Sequence, residues 1–311
     1  MDGSQGLTRY PLARRGMVMT GLISGFTLAT TRAEAQAIQT PATGLDAGET
    51  KIPVPGGDLP AYFARPAGAG PFPAVLVIEE IFGVHEYIKD TCRRLAKAGY
   101  LAVAPELYAR LGDLSKMTDT AAILRDVISR EPDEQLVADL DATAAWAASN
   151  HGDPARLVVT GFCRGGRGTW LYAAHNPALK AAVAWYGPIG GATSPIQPRT
   201  AADVAAELKC PLLGLYGGQD AGIPVPDVQA AAAKAKAAGK TVEIVVFPDA
   251  PHGFHADYRP SYRKEAAEDG WRRMLAWNPT AVHTLLCDRP VFASLIAGVL
   301  LTSLTGSAPH A

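Results

Sequence analysis

The chain of 311 residues sets 30 acidic against 29 basic side chains, a formal net charge of -1, and is 48% hydrophobic and 19% charged. That balance can bury a sizeable core, argues against intrinsic disorder, and lacks the basic excess of a nucleic-acid-binding surface. Its 31 glycines and 24 prolines form no repeat, which excludes collagen-like and solenoid architectures, while Cys92, Cys163, Cys210 and Cys287 form no C-x-x-C pair, which excludes a disulfide framework or structural zinc site.

In chain order, residues 1–37 read as an export leader. Arg14-Arg15 precede an uncharged stretch from Gly16 to Thr31, followed by small residues in Ala33-Glu34-Ala35 and Ala35-Gln36-Ala37. Charged, apolar and small segments in that order make an export signal, and the paired arginines resemble a twin-arginine leader. The uncharged run is shorter than the roughly 20 residues of a membrane span. The expected destination is periplasmic, with a cytoplasmic protein carrying a disordered N-terminal extension as the alternative.

The segment that follows alternates strand and helix, giving an α/β fold over residues 38–277. Leu59–Arg65 suits an early edge strand, and Ala74–Ile78 is a continuous β-branched run, as in a strand buried on both faces. Tyr87–Ala98 places Ile88, Cys92, Leu95 and Ala96 on one helical face and ends at Gly99. Tyr100–Ala104 is the next strand, Pro132–Asn150 a long helix, Leu157–Thr160 a buried strand, and Gly166–His175 a helix. Strands at Ala181–Trp185, Leu212–Tyr216 and Val242–Phe247, with helices over Val225–Ala238 and Lys264–Trp277, complete the pattern. Strands separated by helices pair in parallel, with helices on both faces and the site at the carboxyl ends of the strands. Residues 278–311 form a tail of unassigned role, and their apolar stretch Val291–Leu304 is too short to span a membrane.

The chemistry concentrates in Gly161-Phe162-Cys163-Arg164-Gly165-Gly166, directly after a predicted strand. This is the nucleophile elbow G-x-S-x-G with cysteine in place of serine. Residues two before and two after the nucleophile must lack side chains for strand and helix to approach. The turn also sets the nucleophile at a helix start, where unpaired N–H groups favour negative charge. A buried structural cysteine is the bland alternative. A phosphate loop fits poorly, because no Lys-Ser/Thr follows the glycines.

A cysteine nucleophile needs a base and a group to orient it. His252 and Asp220 each follow a predicted strand, in the order Cys, Asp, His that this fold uses. Asp249 is the lesser candidate for the orienting acid. His255 is a plausible pocket residue, whereas His85, His151 and His175 fall where solvated or capping roles dominate. Cys92 and Cys210 read as core residues. No histidine pair has metal-ligand spacing, so neither metal nor cofactor is expected.

Glu80-Ile81-Phe82-Gly83-Val84-His85, Pro105-Glu106-Leu107-Tyr108-Ala109-Arg110, the Gly-x-Cys-x-Gly-Gly elbow and His252-Gly253-Phe254 together resemble the dienelactone hydrolase (carboxymethylenebutenolidase) family. The likeness runs from about residue 48 to 277. It implies a single α/β-hydrolase domain without a large lid and a triad of Cys163, Asp220 and His252. It further implies that the Glu80 carboxylate holds the resting thiol neutral until substrate displaces it. The adjacent Glu79 points away by strand alternation. The oxyanion hole would be the backbone N–H groups of Ile81 and Arg164.

One departure concerns substrate binding. Family members acting on dienelactone carry an arginine four residues after the catalytic histidine, and here that position is Ala256. Arg259 or Arg164 could substitute, with Tyr108 as a further contact, unless these arginines are exposed and make no specific contact. The expected activity is opening of a lactone or activated ester through a thioacyl-enzyme. The alternatives are a general carboxylesterase or thioesterase and a catalytically silent small-molecule-binding protein. The expected partner is a small-molecule substrate, with no nucleic acid, no stable membrane span and a monomeric chain.

Overall fold

The structure, a computed structural model, describes residues 37–277, so residues 1–36 of the expected leader and the whole 278–311 tail lie outside the described residues. The strands are β1 (Leu45–Val54), β2 (Gly57–Pro66), β3 (Phe72–Ile78), β4 (Leu101–Pro105), β5 (Gly152–Phe162), β6 (Ala181–Trp185), β7 (Leu212–Gly217) and β8 (Val242–Phe247). The helices are α1 (Glu86–Lys97), α2 (Thr120–Asp126), α3 (Asp133–Ser149), α4 (Arg164–His175), the one-turn α5 (Ala201–Val204), α6 (Val225–Ala237) and α7 (Lys264–Trp277). All eight strands share one sheet in the order β1-β2-β4-β3-β5-β6-β7-β8, parallel from β4 to β8.

The chain steps one way along the sheet from β3 to β4 and the other way from β5 onward. Right-handed crossovers therefore send α1 to one face and α3, α4 and α6 to the other. The reversal opens a crevice beyond the carboxyl ends of β3 and β5, which pair directly from Ala74↔Leu157 to Ile78↔Gly161. The residues after these two strands, Glu80 and Cys163, are thereby brought to one place. Leu76, Val77 and Ile78 of β3 are fully buried, which explains why its apolar run shows no alternation.

One expectation fails at the other edge. Leu59–Arg65 lies within β2, which is not the sheet edge, because β1 pairs outside it as an antiparallel hairpin from Leu45↔Pro66 to Val54↔Gly57. The strand Leu-Asp-Ala-Gly-Glu-Thr-Lys-Ile-Pro-Val contains Gly48 and Pro53 and buries only Ile52 completely, so it carries little β signal of its own. Its partner supplies what the local sequence does not.

Ahead of β1, the segment from Ile38 to Thr43 is tied to α1. Thr40 N–H donates to Asp90 (2.5 Å), Arg93 Nε donates to the Thr40 carbonyl (2.9 Å), and Lys97 donates to the Thr43 carbonyl. Arg94 bridges the buried Asp90 and Asp257, linking this strap to the loop that follows β8.

The tightest contact in the fold lies beneath the elbow. A Cβ on Gly165 would sit 2.4 Å from the carbonyl oxygens of both Ile78 and Glu79, and one on Gly161 would sit 2.2 Å from the Gly165 carbonyl oxygen. These are backbone atoms, so they cannot move aside as a side chain would. Gly165→Ala is expected to cost at least the 1–3 kcal/mol typical of overpacking, read as a lowered urea midpoint. Gly190→Ala, with nothing within 4 Å of the new methyl, should stay within about 0.5 kcal/mol of the parent.

Candidate active site

Cys163 joins β5 to α4 and adopts φ 54°, ψ -119°. That left-handed backbone is strained for a residue with a Cβ, a cost of roughly 1–3 kcal/mol that the surrounding packing must hold in place. The Cys163 N–H donates to the Trp185 carbonyl (3.0 Å), and its own carbonyl accepts from the Gly166 N–H (2.9 Å). The side chain is left half-buried at the amino end of α4, where helix dipole and unpaired N–H groups favour an anion.

His252 arrives from the loop after β8, its Nε2 3.1 Å from the Cys163 Sγ and its Nδ1 2.7 Å from Asp220 Oδ2. Asp220 is set by the turn after β7, where its other oxygen accepts from the Gly222 N–H (3.0 Å). The two loops are stitched together by Gly218 N–H to the Phe247 carbonyl (2.8 Å) and Gln219 N–H to the Ala250 carbonyl (3.0 Å). The imidazole is therefore held at both nitrogens. Burial works against a charged ring, but negative charge on the Cys163 sulfur and the Asp220 carboxylate outweigh it and push His252 up to about 10. Such a ring keeps a proton at neutral pH. The edge of Tyr186 packs on it at a centroid distance of 5.1 Å, and Tyr186, just past β6, is itself held at φ 36°.

Glu80 is fully buried behind this pair, and its Oε2 accepts from the Tyr258 hydroxyl (2.7 Å) and Arg259 (3.4 Å), with His85 Nε2 at 3.7 Å. Burial would raise a carboxyl, but Arg259, His85 and Tyr258 together lower it to about 2. The contact with the resting thiol implied by the family resemblance is not made in this arrangement. The hydrogen-bond partner of Cys163 is His252, and Glu80 is held as an anion by Arg259. Arg259 is not an exposed arginine without contacts either: its side chain is 12% exposed and also stacks over Phe82 at 5.0 Å. Glu79 does point the other way, accepting from the Leu107 N–H (2.8 Å).

The lesser candidates separate cleanly. Asp249 is exposed, and Asp220 is the acid on His252. His255 is buried and contacts none of Cys163, His252 and Asp220. It donates to or accepts from the Tyr87 hydroxyl (2.7 Å), lies among Phe162, Trp185 and Trp271, and is driven by burial down to about 3, hence neutral. His85, expected to be solvated or capping, instead packs edge-on against Tyr258 beside Glu80. His151 binds the Ala69 carbonyl and His175 binds Asp141, and neither contacts Cys163, His252 or Asp220. Cys92 and Cys210 are buried, and burial pushes the Cys210 thiol up to about 12. Tyr108 is buried near the Cys163 sulfur and Arg164. Among the described residues no cluster of three or more His, Cys, Asp or Glu side chains is arranged to hold a metal ion, and no helix is long and apolar enough to cross a membrane.

Sequence reading missed Tyr186, Tyr258 and the part played by His85. A tyrosine directly after the strand Ala181–Trp185 was the one available signal, since the site lies at strand ends. Tyr258 had none, because it reaches Glu80 across 178 residues of chain.

Both the sequence and the fold resemble those of known proteins. A relative from Methylorubrum extorquens named "Putative carboxymethylenebutenolidase" is 57% identical over 268 residues, covering 86% of this chain and 92% of its own. One of the same name from Salmonella typhimurium is 54% identical over 255 residues, covering 82% and 94%. The crystal structure of a protein named "Putative Dienelactone Hydrolase" from Klebsiella pneumoniae superposes with a TM-score of 0.74 at 56% identity, over 76% of this chain and 98% of that one. A dienelactone hydrolase-like promiscuous phosphotriesterase, at 20% identity and a TM-score of 0.63, shares the fold. The sequence model of the dienelactone hydrolase family matches residues 59–281, and with an eight-stranded α/β-hydrolase sheet beneath the match, the chain belongs to that family of carboxylic-ester hydrolases.

Proposed function

We propose that the protein opens a lactone or activated ester of the dienelactone type through a Cys163–His252–Asp220 triad and a thioacyl-enzyme. The observation that carries this reading is the unbroken line from Asp220 Oδ2 to His252 Nδ1 (2.7 Å) and from His252 Nε2 to Cys163 Sγ (3.1 Å). With the proton already on the His252 ring, the Cys163 sulfur attacks the lactone carbonyl. The resulting oxyanion is met by the backbone N–H groups of Arg164 and Ile81, which follow β5 and β3. Collapse of the tetrahedral intermediate breaks the ring C–O bond and releases an enolate, which takes its proton from His252. Water, deprotonated by the now neutral His252, attacks the thioester and returns the cysteine with a free carboxylic acid. A thiolate paired with imidazolium is a modest nucleophile, suited to a stabilised leaving group and poorly suited to an alkyl ester.

A general esterase on the same scaffold is the second reading. It is favoured by Ala256, which is fully buried and offers no charged side chain where family members active on dienelactone place an arginine. Comparing kcat/KM on a dienelactone and on p-nitrophenyl acetate separates the two. Strong preference for the dienelactone supports the lactonase, and equal or better turnover of the simple ester supports the esterase.

Cys163→Ala is expected to lower kcat by about 10⁴-fold or more, and retention of a tenth of the activity would exclude the sulfur as nucleophile. Asp220→Asn should cost a comparable factor, because the amide no longer selects the productive tautomer. Followed by NMR, the His252 ring should titrate near 10 in the parent. In Cys163→Ala it should titrate lower, since the charge on the sulfur is the strongest influence raising it. A parent midpoint near the ordinary 6.5 would show that no such ion pair exists.

A further inference from the structure

Two acids beside the site take no part in the chemistry described above. Glu79 follows β3 and is fully buried, and Glu106 follows β4. Each reaches across to the other's segment. Glu79 Oε1 accepts from the Leu107 N–H (2.8 Å), and Glu106 Oε1 accepts from the Val84 N–H (3.1 Å). The chain is thereby stapled reciprocally beyond the carboxyl ends of two neighbouring parallel strands. Gly83, at φ 81°, lets the loop fold down on the second carboxylate, where an added Cβ would meet Glu106 Oε2 at 3.2 Å.

One oxygen of each acid remains. Glu79 Oε2 is buried and accepts no hydrogen bond, a costly state for a carboxylate oxygen, but a protonated carboxyl becomes a donor there. Burial first, and then the charge of Glu106, push the Glu79 carboxyl well above the usual range. Burial raises Glu106 as well, but the Val84 N–H and a side-chain hydrogen bond from Glu79 oppose it. The proton therefore sits on Glu79, and Glu106 accepts it. The other charges facing the pair leave that assignment unchanged. Glu131, on the Glu79 side, is itself raised by burial to about 8, and Lys89, which lowers Glu106, is already paired with Glu49 (2.5 Å).

In the chain, Ile81 lies between the two staples, with Glu79 anchored ahead of it and Val84 after it. Glu80 is held separately by Tyr258 and Arg259. The Ile81 N–H is the group assigned above to the oxyanion, and misplacing a group by about 1 Å can cost a hundred-fold in rate. We infer that Glu79 and Glu106 act as one hydrogen-bonded clasp that positions the Ile81 N–H against the developing oxyanion. Both are positioning residues, because they act through the backbone of the loop. This deepens the hydrolase reading above and rests on it.

The test measures kcat and KM on p-nitrophenyl acetate beside the rate of Cys163 alkylation by iodoacetamide, which needs the sulfur but forms no oxyanion. Glu79→Ala should lower kcat about ten- to a hundred-fold with KM little changed, somewhat less than deleting an oxyanion donor outright. Glu79→Gln should recover most of that loss, because its amide N–H takes the place of the shared proton. Glu106→Gln should be mild for the converse reason, its amide donating to an ionised Glu79. In the double Gln variant two amide N–H groups face each other without an acceptor, and kcat should fall as far as in Glu79→Ala. Alkylation should keep the parent rate throughout. The Gln series carries the test even where the alanine variant does not fold.

Single-variant losses that simply multiply in the double variant overturn the shared proton. A fall in kcat matched by an equal fall in alkylation overturns the oxyanion role, since the nucleophile itself would be disturbed. An active parent whose kcat survives both Glu79→Ala and the double variant overturns the clasp alone. A parent that hydrolyses neither this ester nor a dienelactone sinks the hydrolase reading and takes the oxyanion role with it.

Discussion

The structure turns on one close approach. The first turn of α4 lies against the end of β3 so tightly that no atom beyond a hydrogen fits on Gly165, where an added methyl would meet the Ile78 and Glu79 carbonyls at 2.4 Å. With strand and helix that close, the residue between them must turn back through a left-handed backbone, and Cys163 does so at φ 54°. The same approach brings the start of α4 beside the residues that follow β3. The positions of Cys163, the helix N-terminus and Glu80 are thus products of a single packing constraint, and moving the helix outward would separate all three.

Several charges at the site are arranged in compensated pairs. His252 shares its charge with Cys163 and Asp220, Glu80 is answered by Arg259, and Arg167 by Asp133. Each pair is partly or wholly withdrawn from water, where a lone charge would be expensive and a broken pair more so. With Glu80 locked onto Arg259 and Tyr258, the hydrogen-bond partner of the Cys163 sulfur is the His252 ring.

Much of this was legible in the residues themselves. The strands Ala181–Trp185 and Val242–Phe247 and the helix Lys264–Trp277 have the limits their patterns suggest, because apolar runs and helical faces are local properties of the chain. The G-x-C-x-G spacing is legible for a related reason: a steric requirement two residues either side of the nucleophile has to be written into the adjacent sequence. By contrast β1 stayed hidden, since Gly48 and Pro53 weaken its own preference and it is held in place by pairing with β2. His85 looked like a loop histidine until Tyr258, arriving from beyond β8, closed over it.

The sequence by itself determined the class of fold and singled out Cys163, His252 and Asp220 as the candidate site, because each lies within a few residues of a strand end and announces itself by local spacing. What only the tertiary structure decided is which charges meet. Whether Glu80 faces the sulfur or Arg259, and whether Arg259 is exposed or bound, both depend on side chains from distant strands converging over one crevice. Spacing along a chain records steric needs between neighbours, whereas the energy of a buried charge is set by whatever the fold places within a few ångströms of it.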